Sequence, residues 1–288
     1  MNVRPEPRGN ADPTLLRTPS ARDLGRLARR CLELELCTWP KPGLVSHRDS
    51  GAHQDMDASL IRASARCLEP FFAQLAAAGA AGASLPVLRN IGINAEHAML
   101  AVTGGVNTHR GAIFGLGLLS AAAGRLALGG TLTARSLGEH VRAAWGWSLR
   151  STAPSGTHGA SVFARYGAGG ARTEAASGFA HVYLIGLPAL RRAREWGADE
   201  EAARVQVCFA LIAAVADTNI LYRAGPAGLE HAQSVARRFL VAGGVQRGDW
   251  HERAAQAHED FVAHRLSPGG CADLLAMTLF ADAVESHP

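Results

Sequence analysis

Lysine is almost absent from this 288-residue sequence: Lys41 is its single lysine, and the other 28 of its 29 basic residues are arginines. The formal net charge is only +4, and the basic residues are scattered along the chain. Neither a basic helix nor a zinc-finger spacing is present, which excludes the usual duplex-binding modules and predicts no nucleic-acid partner. A sparse positive charge of this kind favours a small polyanionic ligand.

Paired cysteines, an apolar leader and long apolar runs are also missing. The five cysteines form no CxxC pair and no metal-ligand spacing, so the sequence predicts unpaired thiols in a reducing compartment. The first residues carry prolines and charges where a signal peptide has an apolar core. The longest uncharged stretch, 70–88, is interrupted by glycines and proline, which is typical of a helix end and a loop. We therefore expect a cytoplasmic protein that does not contact a membrane.

No segment shows the alternation of a strand, and no βαβ rhythm is present. The composition is 48% hydrophobic but only 6% aromatic, with 32 glycines, so it favours closely packed helices. Residues 1–19 contain four prolines and predict a flexible tail, while residues 20–288 predict one compact all-α domain of about ten helices. The first helix should begin after Ser20 and end before Pro40. The other expected helices are 57–78, 86–103, 110–124, 134–148, 178–196, 199–216, 226–242, 249–264 and 270–285.

Polar and unusual residues cluster where these helices should end. A GxxxxGK[ST] phosphate loop, a GxSxG elbow and a second zincin histidine are absent, and Gly115 and Gly117 lie inside an apolar helix, which argues against dinucleotide binding. The polar loops are residues 40–57, 103–111, 157–174, 217–223 and 267–273, with Glu96 as a further contributor.

Two glycine pairs in these loops are candidates for anion binding. Free backbone N–H groups and the helix dipole attract anions at a helix start, and Gly104-Gly105 and Gly269-Gly270 each precede a predicted helix. The alternative is that these glycines only end helices or form turns. If the loops converge, their polar and basic side chains would form a pocket for several phosphates. These side chains are Lys41, Asn107, Arg110, Arg172 and Arg223.

Acidic residues and histidines in the same loops suggest metal and proton chemistry. Asp55 and Asp57 are two residues apart near a helix start, where a loop can aim both at a Mg²⁺ ion that is shared with phosphates. N-capping of the helix is the alternative for one of them. Three histidines, His53, His109 and His158, lie in glycine-bearing polar loops.

Five stretches together resemble the triphosphoribosyl-dephospho-coenzyme A synthase family, in the family's order and from about residue 30 to the end. They are PKPGLV with GAHQDMD (40–57), TGGVNTHRGAIF (103–114), YGAGGARTEAASGF (166–179), DTNILYRAG (217–225) and SPGGCADLLAMTLFADA (267–283). Arg110, the loop at 157–159 and LPALRRAR at 187–194 are more similar to the malonate decarboxylase branch than to the citrate lyase branch. The sequence departs from the family pattern at Ser46, Ser50 and Ala180, which concerns substrate positioning.

The resemblance implies that the 2′-hydroxyl of dephospho-coenzyme A attacks the ribose of ATP and that adenine leaves. It implies Mg²⁺ at Asp55 and Asp57, with the basic residues above holding the triphosphate. Glu96 or Asp217 is expected to accept the hydroxyl proton, and His53 or His109 to protonate adenine. A separate transferase would deliver the product to an acyl carrier protein, so either protein is a candidate partner. The oligomeric state is left open.

Two other functions share the same loops. An all-helical N-glycosidase or ADP-ribose-type hydrolase would use water in place of the coenzyme A hydroxyl. A non-catalytic nucleotide-binding module would hold ATP without cleaving it. Release of adenine, and its dependence on the acceptor, separates the three.

Overall fold

The computed structural model describes residues 19–128, 136–151 and 158–286, and every regular element in these ranges is helical. The all-α prediction is confirmed, and the described residues form a single compact domain. A π-helix spans Val182–Gly186, and a 3-10 turn spans Gly244–Gln246. The α-helices are α1 (Ala21–Leu36), α2 (Ala58–Ala80), α3 (Leu85–Val102), α4 (Arg110–Leu128), α5 (Leu137–Ser151), α6 (His158–Tyr166), α7 (Ala171–Ala176), α8 (Leu187–Glu195), α9 (Glu200–Ala214), α10 (Thr218–Val241), α11 (Trp250–Ala263) and α12 (Gly269–Glu285).

Most helix ends lie where the sequence places them. Ser20 caps α1 by accepting from the N–H of Asp23, whose carboxylate accepts from Ser20 in return, and α1 ends at Leu36, before Pro40. The predicted start near 226 was wrong: α10 begins at Thr218, so most of the predicted 217–223 loop is helical. The chain kinks at Gly225, where φ is +65°. The tail predicted for 1–19 lies almost entirely outside the described residues.

The prediction of one long loop through 157–174 was wrong, because α6 and α7 fall within it. Each is short, with nine and six residues, so too few turns are present for helical periodicity to stand out. The predicted helix at 178–196 is present as an unbroken helical run over 180–195, in which the π-helix leads directly into α8. Phe179, with a φ of +60°, separates this run from α7.

The centre of the core is the packing of α2 against α1 and α4. Helices α2 and α4 approach so closely that a Cβ on Gly79 would lie 1.9 Å from the carbonyl oxygen of Ala121. A Cβ on Gly124 would likewise lie 2.0 Å from the carbonyl oxygen of Ala76. The abundance of small residues in the sequence therefore has a direct structural use, since larger side chains would force these two helices apart.

Helix α9 is buried on nearly all sides from Ala202 to Ile212, including the stripe of Ala202, Val205, Phe209 and Ile212. Phe209 stacks on Phe239 of α10 with ring centroids 3.9 Å apart. Among the described helices, none is by itself long and apolar enough to cross a membrane, and α9 and α10 meet that test only as a pair bent by 59°.

The loop at 37–57, between α1 and α2, is held in place by Gly43. This glycine has a φ of +65°, and a Cβ on it would lie 2.0 Å from the carbonyl oxygen of Leu266. We expect Gly43→Ala to lower the free energy of unfolding by roughly 2–4 kcal/mol, from positive φ and steric overlap together. Gly82, with a φ of +75° and open space around it, is the matched control, and Gly82→Ala should cost roughly 1–2 kcal/mol. Equal losses in urea denaturation would contradict the steric argument.

Candidate functional site

The start of α10 is tied to the start of α12 through the carboxylate of Asp217. One oxygen of Asp217 accepts from the N–H groups of Asn219 at 2.8 Å and Ile220 at 3.2 Å, which caps α10. The other oxygen accepts from the N–H of Cys271 at 3.0 Å, in the first turn of α12. Burial raises the pKa of Asp217, and these N–H bonds oppose the rise. Asp217 therefore joins two helix starts, and this geometry does not favour the predicted role as base.

Gly269 and Gly270 allow this close approach. A Cβ on Gly270 would lie 2.9 Å from Asp217 Oδ2, and one on Gly269 would lie 2.8 Å from Asn219 Nδ2. Because both glycines belong to the first turn of α12, they are not helix-ending glycines, which was the alternative for this pair. The first turn of α12 thus lies directly on the first turn of α10.

Asp273, near the start of α12, contacts the start of α4. A Cβ on Gly111 would lie 2.0 Å from Asp273 Oδ2, and the N–H of Ala112 donates to the Asp273 carboxylate. Burial raises the pKa of Asp273 well above its ordinary value, and the charges of Glu35 and Asp217 raise it further. Asp273 was not among the predicted catalytic residues, although it lies in the SPGGCADLLA stretch. Two carboxyl groups therefore bring three helix starts together: Asp217 joins α10 to α12, and Asp273 joins α4 to α12.

Lys41, predicted to bind phosphate, is instead fully buried. Its ammonium group forms an ion pair with Glu35 of α1, and its carbonyl oxygen accepts from His258 Nδ1 at 2.6 Å. The other ring nitrogen of His258 lies 3.2 Å from Asp49 Oδ1. Glu35 was missed, although it continues the buried α1 stripe that includes Cys31, and a carboxylate in such a stripe signals a buried partner. Lys41 thus stabilises the interior beneath the helix starts and is not presented to a ligand.

His109 is also buried, and its environment argues against the predicted role as an acid. Thr108 Oγ1 donates to Ser64 Oγ at 2.7 Å, and Ser64 Oγ lies 2.7 Å from His109 Nδ1, which fits a neutral ring that accepts at Nδ1. Burial and the charge of Lys41 lower the pKa of His109 to about 4. A neutral imidazole at pH 7 has no stored proton to give to adenine.

A pH-dependent loss of stability should follow from His109. Its unfolded pKa of about 6.5 exceeds its folded pKa, so the unfolded state binds the proton more tightly between these values. Stability is expected to fall by roughly 2 kcal/mol between pH 7 and pH 5 from this residue. The difference in free energy of unfolding between pH 7 and pH 5, measured in urea, should be smaller for His109→Asn than for the unmodified protein. The exposed His97→Asn control should show the same difference as the unmodified protein. Identical pH differences in all three would contradict the assignment.

His53, Asp55 and Arg223 lie together at the edge of this site. His53 Nε2 lies 2.8 Å from Ser267 Oγ, and its Nδ1 lies 3.3 Å from Asp55 Oδ1 and 3.4 Å from an Arg223 nitrogen. Burial and the Arg223 charge lower the pKa of His53, while Asp55 opposes this. Asp57 caps α2 by accepting from Leu60 N–H at 2.8 Å, which confirms the capping alternative for one of the two aspartates.

At the junction of α3 and α4, several of the predicted site residues hold the ends of the two helices. Gly104 and Gly105 have positive φ, and the N–H of Gly105 donates to the carbonyl of Leu100 at 2.8 Å, so this pair ends α3 and does not open α4. Asn107 Oδ1 accepts from the N–H of Arg110 at 3.1 Å. Arg110 Nε in turn donates to Glu96 at 2.7 Å, and both side chains stay partly exposed. Glu96 therefore orients Arg110, and this ion pair does not favour its predicted role as base.

Arg172 lies in α7, beside the start of α10. A Cβ on Gly170 would lie 3.6 Å from Thr218, so α7 begins next to α10. Glu174 holds the following turn by accepting from the backbone N–H of His181 at 2.8 Å. Thr157 and the side chain of His158 lie outside the described part of the structure.

The described geometry defines a class of protein. An all-helical domain brings the starts of α4, α10 and α12 together through Asp217 and Asp273, two carboxyl groups with raised pKa values, with Arg110 in the first turn of α4 and Arg223 at the edge. Helix starts and arginines attract phosphates, and a carboxyl group of this kind can carry a proton. The arrangement is that of an enzyme acting on a polyanionic substrate.

Comparison with other proteins defines the family. Residues 21–288 match the family described as ATP:dephospho-CoA triphosphoribosyl transferase. The 2-(5''-triphosphoribosyl)-3'-dephosphocoenzyme-A synthase of Pectobacterium atrosepticum is 41% identical over 267 residues, covering 89% of this chain and 87% of the relative. A probable enzyme of the same name from Pseudomonas fluorescens is 43% identical over 278 residues, covering 93% and 94%. The Klebsiella pneumoniae synthase is 41% identical over 276 residues, covering 92% and 91%. No solved structure matches the chain.

The chain belongs to the ATP:dephospho-CoA triphosphoribosyl transferase family and is a transferase.

Proposed function

We propose that this protein transfers the 5-triphosphoribosyl group of ATP to the 2′-hydroxyl of 3′-dephospho-coenzyme A and releases adenine. The observation that carries the proposal is the joining of the α4 and α10 starts to the start of α12 through Asp273 and Asp217, in a chain that matches the family over residues 21–288. The relatives from Pectobacterium and Klebsiella bear the name of this activity.

In the proposed reaction the 2′-oxygen forms a bond to ribose C1, and the bond from C1 to adenine breaks with its electrons going to adenine. We assign Asp273 to accept the hydroxyl proton, because a carboxylate with a raised pKa is a stronger base. Glu96 and Asp217, the alternatives from sequence, are less suitable, since the first holds Arg110 and the second uses both oxygens on backbone N–H groups.

The triphosphate is proposed to lie across the starts of α4 and α12. Partial positive charge at both helix starts and the partly exposed Arg110 support this position. Arg223 at the edge and Arg172 near the start of α10 are proposed to contact the outer phosphates. The buried Lys41 is left out of direct binding and contributes by holding Glu35.

Asp55 and Asp57 offer carboxylate donors that fit Mg²⁺. Asp57 uses one carboxylate oxygen to cap α2, which leaves the other for a hard cation, and Asp55 is largely exposed. Two carboxylates suit an ion that takes its remaining ligands from phosphates and water. Bound there, Mg²⁺ would neutralise charge on the triphosphate. We therefore retain both aspartates as its proposed ligands.

Adenine must gain one proton as it leaves, and His53 is the remaining imidazole for this step. Its lowered pKa favours a neutral ring, so we propose that His53 relays a proton and does not hold one in the resting enzyme. Its contacts with Ser267 and Asp55 support a relay, because both ring nitrogens have polar neighbours.

The product is proposed to serve the malonate decarboxylase system, and the citrate lyase system is the alternative. Arg110 and the 187–194 stretch support the first. A transferase would then pass the group to an acyl carrier protein, and either of these is a proposed partner. We place the reaction in the cytoplasm, where ATP and coenzyme A precursors are available.

The test is incubation of the purified protein with ATP, Mg²⁺ and dephospho-coenzyme A, followed by chromatography and mass spectrometry. We expect adenine release that requires the acceptor, together with the triphosphoribosylated product. Adenine release without acceptor would indicate the hydrolase instead. ATP binding without adenine under any condition would indicate a nucleotide-binding module.

A further inference from the structure

A second group of ligand-type side chains joins α10 to the end of α11. His231 Nε2 lies 2.7 Å from Asp260 Oδ2, and His264 Nδ1 lies 3.4 Å from Asp260 Oδ1. One ligand atom from each of the three residues lies within 4.8 Å of the others, and each side chain is partly exposed. We propose that His231, Asp260 and His264 bind a divalent transition-metal ion, with Zn²⁺ as the best chemical match.

The donor set fits Zn²⁺. Two imidazoles and one carboxylate are ligands that Zn²⁺ takes in open sites, where water completes the tetrahedron. Bonds of about 2.0–2.1 Å place neighbouring tetrahedral ligands roughly 3.4 Å apart, so the observed separations of 2.7 and 3.4 Å require only small side-chain movements. Asp260 and His264 are four residues apart at the end of α11, a spacing that directs two ligands to one side of a helix.

A plain ion pair would account for only part of this geometry. Asp260 needs one imidazole to form such a pair, and His231 provides it at 2.7 Å. His264 Nδ1 lies 2.8 Å from the backbone carbonyl oxygen of Asp260, a bond that it would exchange for the metal ion, and 3.4 Å from the carboxylate of the same residue. The ring centroid of His264 lies 4.5 Å from that of His231. Two imidazoles that share one carboxylate repel each other when both are protonated, whereas a metal ion requires both to be neutral.

A metal ion here would clamp α10 to α11. Helix α11 carries His258, which bonds to the Lys41 carbonyl, and α10 begins at the Asp217 cap. The ion would therefore stabilise the framework of the helix starts from a distance, without touching the substrate. This inference is independent of the reaction proposed above.

The experiment is calorimetric titration of tag-free, chelator-treated protein with Zn²⁺ at pH 7. We expect one equivalent to bind, with affinity lowered at least tenfold in His231→Ala and in His264→Ala. His251, an exposed histidine near the start of α11, gives the matched control, and His251→Ala should bind like the unmodified protein. Affinity should also fall at pH 5.5, because protons compete for the imidazoles.

Thermal unfolding provides a second measurement that does not depend on activity. Zn²⁺ should raise the melting temperature of the unmodified protein and of the His251→Ala control, but not that of the His264→Ala variant. Asp260→Asn serves if His231→Ala fails to fold, since it removes the carboxylate that both imidazoles share. The proposal is overturned if no Zn²⁺ binds below millimolar concentration, or if all variants bind it equally. Equal binding of Mg²⁺ would also overturn it, because imidazoles do not favour a hard cation.

Discussion

Replacing Asp273 with asparagine is expected to lower the turnover number for adenine release by roughly 10²–10⁴-fold, the usual contribution of a general base. Asparagine has nearly the same shape and can still accept from the N–H of Ala112, but it cannot take the hydroxyl proton. Binding of ATP should therefore change little. Steady-state kinetics, with ATP affinity measured by calorimetry, checks both expectations.

The stability of the same variant shows whether Asp273 acts in catalysis or only in folding. Its folded pKa lies above the unfolded value of about 3.9, so the native state binds the proton more tightly. Asp273 therefore costs stability increasingly as pH rises from the unfolded pKa through the folded one. At pH 7 the asparagine variant should unfold at an equal or higher urea concentration. A catalytic loss without a stability loss marks a group retained for its chemistry.

The control for Asp273 is an exposed aspartate elsewhere. Asp249 contacts Arg247 on the surface, and Asp249→Asn should leave both turnover and stability nearly unchanged. The pH profile adds a further check, because the rise of kcat/KM with pH through the pKa of Asp273 should disappear in the asparagine variant. Near-normal turnover of Asp273→Asn, with its pH profile intact, would remove Asp273 from the mechanism.

Replacing Lys41 with methionine is expected to lower the free energy of unfolding by roughly 3–5 kcal/mol. Lys41 is fully buried and paired with Glu35, whose side chain is only 11% exposed. Methionine fills much of the same volume but leaves the Glu35 carboxylate without its partner in the interior. Urea denaturation measures the loss, and a rise in the pKa of His109 by NMR should accompany it, because Lys41's charge contributes to the lowering.

A double-mutant cycle tests the cause. Glu35→Gln added to Lys41→Met removes both charges, so much of the lost stability should return. The surface pair of Arg26 and Asp23, with side chains 61% and 44% exposed, is the matched control. Arg26→Met should cost less than about 1 kcal/mol. If Lys41→Met lowers the free energy of unfolding no more than Arg26→Met does, the buried pair of Lys41 and Glu35 does not stabilise the loop at 37–57.

The fold was largely predictable because helices are encoded locally. The Ser20 cap and the end of α1 before Pro40 depend on residues a few positions apart, and both are present in the structure. Helices α6 and α7 were missed, since short helices between glycines carry little periodic signal. The positive φ of Phe179, which separates α7 from the next helical run, could not be predicted from residue type, because aromatic residues seldom adopt it.

Local patterns and the five matching stretches were enough to predict the helical class and the family. What the polar residues do depends on contacts between distant helices: Lys41 is buried, Asp217 joins α10 to α12, His109 is neutral, and Asp273 joins α4 to α12. The range of the interactions explains this difference. Caps and apolar stripes are local, whereas burial and partners come from contacts such as that between Lys41 and His258, 217 positions apart.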